Sequence, residues 1–207
     1  MPSLELTYFD SPGRAEPIRV ALRLAGRAFV DRRLKFPDFA EQNARGAFPL
    51  GSVPVLAVDG AVITQTSAIL RYVARAFAPD LYPADPWLAL LVDSVLDSFN
   101  DTLSNALVPS MRERDMAKKL ELRRAFVDGP MARVFGYTEA ILARSGGPFV
   151  AGTSLSIADL VVAHQISQIR AGSLDGITSA HLEAYPRLRA LTDAYLAHPR
   201  IAQLRAD

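Results

Sequence analysis

The chain has 207 residues, half of them hydrophobic, and 23 lysines and arginines nearly balance 22 aspartates and glutamates for a net charge of +1. That length can bury one large core or two small ones, and the balance of charge leaves no electrostatic footprint for nucleic acid or an anionic membrane surface. No cysteine is present, which excludes disulfides, thiolate metal sites and a cysteine nucleophile, so any reactive sulfur must arrive with a ligand.

In chain order, Leu4-Glu5-Leu6-Thr7-Tyr8-Phe9 alternates as a half-buried strand and runs into a turn at Ser11-Pro12-Gly13-Arg14. A helix is expected over Ala15–Ala25, ended by Gly26, and a second strand over Phe29–Leu34, which together make a β-α-β unit. The stretch from Pro37 to Leu50 reads as a loop. Strands at Val55–Val58 and Ala61–Thr64 flank Asp59-Gly60, the signal for a two-residue type I′ hairpin. A helix follows from Thr66 to about Phe77, with Ile69, Leu70, Val73 and Phe77 on one stripe. The hydroxyl and backbone N–H of Thr66 at its start, with the helix dipole, suit a carboxylate. Plain capping by Thr66 is compatible with that reading.

Three prolines between Ala78 and Pro86 mark residues 79–86 as a linker, because proline removes helix donors and restricts its predecessor. Beyond Trp87 only helical periodicity is seen. Leu88, Leu91, Val92, Val95, Phe99 and Leu103 predict one long helix, and Met131, Val134, Phe135 and Leu142 another, closed at Gly146-Gly147. Ile157–Arg170 and Arg187–His198 supply two more, the first opened by the capping box Ser156-Ile157-Ala158-Asp159. Asp93, Asp97 and Asp101 recur every four residues, which puts three carboxylates on one helix face. His164, His181 and His198 share no metal-ligand spacing, so no metal is expected. No apolar run approaches ~20 residues, and no charged-then-apolar leader precedes the first strand, so a cytoplasmic location is expected.

Position alone leaves Tyr8 as an amphipathic residue at a strand end; its setting gives it a role. The Tyr8 junction, Val53-Pro54-Val55-Leu56 and Gln65-Thr66-Ser67-Ala68-Ile69 together resemble the cytosolic glutathione transferases, specifically the tyrosine-type, sigma-like members. In the second half, Phe149, Gly152, Ser156 and Asp159 fall in register with that family's folding element. The resemblance spans nearly the whole chain. It implies an α/β thioredoxin-like N-terminal domain over residues 1–78 and an all-α C-terminal helical bundle over residues 87–207.

It further implies glutathione as co-substrate. Tyr8 would donate a hydrogen bond to the glutathione thiolate, and Arg14 would add positive potential beside it. A cis Val53-Pro54 bond would turn the Val53 backbone toward the tripeptide as an added edge strand. Gln65 and Thr66 would hold the γ-glutamyl carboxylate. Asp101 would reach the γ-glutamyl amine bound to the other subunit of a homodimer, in which Arg71 and Arg75 face Asp93 and Asp97. Phe39 stands in the slot of a family tryptophan and Arg45 in that of a lysine, so Arg45 is the expected grip on the glycyl carboxylate. Phe9, Pro12, Gly13, Ala106 and Met111 would line the pocket of a hydrophobic electrophile. Related chemistry on the same fold leaves glutathione-dependent isomerisation or peroxide reduction open, as well as a low-turnover ligand-binding or structural role.

Overall fold

A computed structural model of the chain describes residues 1–206. Two compact units are present, Met1–Pro79 and Asp80 onward.

The first unit contains β1 (Leu4–Phe9), α1 (Glu16–Leu24), β2 (Val30–Leu34), α2 (Phe36–Ala44), β3 (Val55–Val58), β4 (Ala61–Thr64) and α3 (Thr66–Phe77). Its sheet has the order β2-β1-β3-β4. β1 pairs parallel with β2 and antiparallel with β3, and β3 pairs antiparallel with β4. This is the thioredoxin-like arrangement expected from the order βαβ, then ββα. The hairpin forms as its sequence requires, because Asp59 and Gly60 both take positive φ, 48° and 85°. α1 and α3 pack together and bury Ile18, Leu22, Ile69, Leu70 and Val73 completely.

One element differs from the sequence reading. Phe36–Ala44 is a helix rather than part of a loop. Its start carries ordinary signals: Pro37 in the first turn, and Asp38, whose carboxylate accepts the Lys35 backbone N–H at 3.3 Å. None of its residues is buried outright, so the apolar stripe that betrays most helices is missing.

The second unit is helical throughout: α4 (Pro86–Asp97), α5 (Ser104–Arg112), α6 (Met116–Phe126), α7 (Ala132–Leu142), α8 (Ile157–Arg170), α9 (Pro186–Ala197) and α10 (Pro199–Ala206). α8 is the central member, with Ile157, Ala158, Asp159, Val162, Ala163 and Ile166 fully buried, and it packs on α4 and α9. The capping box forms as expected. Asp159 accepts the N–H of Val150 at 2.9 Å and that of Ser156 at 2.8 Å, together with the Ser156 hydroxyl at 2.6 Å. Burial dominates these hydrogen bonds and raises the carboxyl from 3.8 to about 6.

The long helix expected through Leu103 is not regular. Ser98–Leu103 is a π-helical segment between α4 and α5. The wider turn inserts a residue into the 3.6 period, so the polar Asn100 is buried beside Phe99. A second π segment, Val127–Met131, contains Pro130 and joins α6 to α7.

Candidate functional site

Tyr8 closes β1, where it is paired with Arg33, and only 9% of it is exposed. Its hydroxyl oxygen accepts the backbone N–H of Arg14 at 3.2 Å. An oxygen engaged in this way as an acceptor keeps its own proton to donate. The chain after β1 folds tightly against the ring: Gly13 opens a 3-10 turn (Gly13–Ala15) with φ of +42°, and a Cβ there would lie 2.6 Å from the phenol oxygen. Gly13 is therefore required both for its backbone angle and for its missing side chain. Pro12, immediately before it, is exposed.

A buried arginine holds that turn. Arg19 on α1 is fully buried, and its Nη1 donates to the carbonyls of Ser11 at 3.0 Å and Pro12 at 3.1 Å. The same nitrogen meets Glu16 at 3.1 Å, while Nε reaches both carboxylate oxygens of Asp31 on β2 at 3.0 and 3.1 Å. Sequence reasoning gave Arg19 no part in the site. Its role depends on three segments meeting, which no local pattern announces.

The rest of the first unit places the other expected residues as follows. The Val53-Pro54 peptide is cis, and both residues are buried just before β3. Gln65 adopts φ of 74° and ψ of 112°, a backbone region a side-chain-bearing residue seldom occupies, directly ahead of α3. Thr66 and Ser67 open that helix and are buried. The side chain of Gln65, at the N-cap position, makes no capping hydrogen bond.

Phe39 sits on α2, in edge contact with Phe9 at 5.2 Å and stacked on Phe48 at 5.3 Å. Arg45 ends α2 and is exposed, but its guanidinium pairs with Glu41 at 2.6 Å. Both groups are largely solvent-exposed, so the pair is a weak helix-surface contact that leaves Arg45 available to a ligand carboxylate. Asn43, four residues past Phe39, lies near Gly51 and was not singled out by sequence.

In the second unit, Asp101 is exposed on the π segment, Ala106 is half-buried on α5, and Met111 is 62% exposed near its end. Asp93 accepts the Tyr82 hydroxyl at 2.7 Å, a contact within the chain that the acidic spacing did not suggest. Among the described residues no cluster of three or more His, Cys, Asp or Glu could hold a metal, and no helix is long and apolar enough to cross a membrane.

Comparison with known proteins bears on the same residues. The model for the glutathione S-transferase N-terminal domain matches residues 4–75, and that for the glutathione S-transferase C-terminal domain matches residues 100–206. Glutathione S-transferase 3 of Caenorhabditis elegans is 33% identical over 168 residues, covering 80% of this chain and 79% of the relative. S-crystallin SL11 of Nototodarus sloanii is 29% identical over 211 residues, covering 98% and 95%. The solved structure of NaGST-2 superimposes with a TM-score of 0.84 at 29% identity, covering 100% of this chain and 97% of that one.

Proposed function

The chain belongs to the glutathione S-transferase family, and from that premise we propose that it conjugates the thiolate of glutathione to hydrophobic electrophiles, with Tyr8 stabilising the thiolate. The observation that carries this reading is the hydrogen bond from the Arg14 N–H to the Tyr8 oxygen. It turns the phenol's acceptor side inward and leaves the O–H to donate.

The magnitudes suffice. A free thiol ionises near pH ~8.5. One charge-assisted hydrogen bond supplies ~1.5–3 kcal/mol. At ~1.4 kcal/mol per pKa unit, that lowers the thiol by one to two units, so a large fraction is thiolate near neutral pH. The thiol proton leaves to water. The sulfur then forms a bond to the electrophilic carbon, and a leaving group departs with the bonding pair, or the adduct takes a proton from solvent.

The tripeptide's γ-glutamyl carboxylate would sit at the N-terminus of α3, at Gln65 and Thr66, and its backbone beside Val53. Phe39 and Arg45 flank the glycyl end, where Arg45 would exchange Glu41 for the ligand carboxylate. Arg14 adds positive charge at the mouth of α1. In a homodimer, Asp101 would meet the γ-glutamyl amine of the neighbouring subunit, with Arg71 and Arg75 opposite Asp93 and Asp97. Phe9, Pro12 and Gly13 would border the electrophile from the first unit. A cytoplasmic location would place the chain with the glutathione pool it draws on.

An ultraviolet titration of bound glutathione tests this reading. The proposal expects a thiolate band that titrates one to two units below free glutathione and loses that shift in Tyr8→Phe. An unshifted thiol in the native protein would sink it.

A further inference from the structure

Asp31 on β2 lies between two arginines. Its two carboxylate oxygens accept the Nε–H of Arg19 at 3.0 and 3.1 Å. From the other side Oδ2 accepts the Nε–H of Arg33 at 3.0 Å and meets its Nη2 at 2.9 Å. The strand that carries it pairs residue for residue with β1, Asp31 beside Leu6 and Arg33 beside Tyr8. Arg33 extends the row to the exposed carboxylate of Asp10, just past β1, at 3.2 Å.

Two carboxylates touch Arg19, but only one is placed to aim it. Glu16 stands on the same helix one turn earlier and reaches only Nη1, which the carbonyls of Ser11 and Pro12 share. Asp31 comes from a neighbouring strand and engages Nε with both oxygens. A guanidinium is planar and rigid, so holding Nε fixes where Nη1 points. Nη1 points at the two carbonyls directly ahead of Gly13, and the turn they begin brings the Arg14 N–H to the Tyr8 oxygen at 3.2 Å. Arg19 is fully buried, so water does not stand in for a lost partner.

Resting on the reading of Tyr8 as the thiolate site, we infer that Asp31 is a positioning residue for that site. By orienting Arg19 it sets the turn Ser11–Arg14, and through the turn the Arg14–Tyr8 hydrogen bond that leaves the phenol O–H free to donate. The role requires no contact with the sulfur or the electrophile. Its effect also has a sign that plain electrostatics cannot produce. Removing a carboxylate from the surroundings of a thiolate favours the anion and lowers the thiol pKa. Removing the group that aims the phenol raises it.

The test is an ultraviolet titration of glutathione bound to the full chain, with a pH–rate profile for conjugation of a chlorodinitrobenzene, in Asp31→Asn, Asp31→Ala and Asp10→Asn. Asp31→Ala is included because an asparagine NH2 facing two guanidiniums can itself prevent folding, whereas alanine admits water at this partly exposed position. Either Asp31 variant should raise the bound thiol pKa by about half a unit to one unit and slow conjugation near pH 6.5 about three- to tenfold. The rate should return to the native value by pH ~9.5, where the thiol is ionised without help, and the KM for glutathione should stay within about twofold. Asp10→Asn removes a carboxylate at the exposed end of the row and should leave the thiol at or below its native pKa. An unchanged or lowered thiol pKa in the Asp31 variants overturns the inference. So does a loss of rate equal at every pH, or one carried by KM, since either would reduce Asp31 to a support of the fold. If the native thiol is shifted and Tyr8→Phe abolishes the shift while the Asp31 variants keep it, this inference alone falls. An unshifted thiol in the native protein removes the proposed function with it.

Discussion

A Cβ placed on Gly13 would stand 2.6 Å from the hydroxyl oxygen of Tyr8 and 2.7 Å from its ring. Gly13 also holds φ at +42°. Gly13→Ala therefore has to displace the phenol and strain the turn together. The substitution should cost about 1–3 kcal/mol of stability and return the glutathione thiol toward its free value. Chemical denaturation and the ultraviolet thiolate titration measure the two effects separately. An alanine variant with an unchanged thiol titration would show that the ring does not need that space.

Tyr8→Phe removes the O–H that is to donate and leaves the Arg14 N–H facing a ring edge. Conjugation measured near pH 6.5 should fall about 10- to 100-fold, the equivalent of one to two pKa units. The deficit should shrink as pH rises, because a thiol of higher pKa still ionises in alkali. A loss that stays constant across pH would mean the hydroxyl acts on something other than thiol ionisation.

Arg19→Met keeps much of the buried volume and deletes every polar contact of the guanidinium. The Ser11 and Pro12 carbonyls lose that donor, while Asp31 keeps Arg33 as a partner at 2.9 Å. Removing one partner of a buried ion pair costs about 3–5 kcal/mol when the other charge is left uncompensated; Asp31 is partly exposed and keeps Arg33, so the cost falls below that range, at about 1–3 kcal/mol for the two carbonyls that lose the guanidinium. The turn carrying Gly13 and Arg14 should loosen as well, raising the thiol pKa even where the variant remains folded. Full stability in Arg19→Met, by denaturant midpoint, would contradict this account.

Asp159 makes stability depend on pH with a definite sign. Its folded carboxyl is raised to about 6 from 3.8, so the folded state binds its proton more tightly than the unfolded chain does. That contribution is fully present below pH ~4 and is lost as pH rises through ~6. By linkage it amounts to at most about 3 kcal/mol. Asp159→Ala should be destabilised at every pH, since three donors lose their acceptor. Its gap from the native protein should narrow between pH 4 and 7. A gap that widened over that range would show that the ionised form is the one held.

The local grammar of the chain was legible wherever a few adjacent residues act alone. Asp59-Gly60 dictates positive φ at both positions, and the hairpin follows. Ser156 and Asp159 satisfy each other within one turn, so the start of α8 was readable without neighbours. Tyr8 at a strand end before Pro12-Gly13 was equally visible, since the turn is built from consecutive residues. The helix at Phe36–Ala44 escaped because its residues lack a buried stripe, the usual mark of helical period. The π segment at Ser98–Leu103 escaped because the periodicity argument assumes an unbroken 3.6 repeat.

Sequence by itself thus determined the succession of strands and helices, the hairpin, the capping box and the residues flanking the phenol, all governed by forces that act over three or four positions. Tertiary structure alone decided that Arg19 grips two carbonyls and a strand carboxylate, and that Phe9, Phe36, Phe39 and Phe48 come together as one aromatic cluster. Those partners are separated by up to 39 positions along the chain, counting from Phe9 to Phe48. Their meeting depends on how a sheet and two helices pack, and packing is a property of summed contacts that no short window of residues contains.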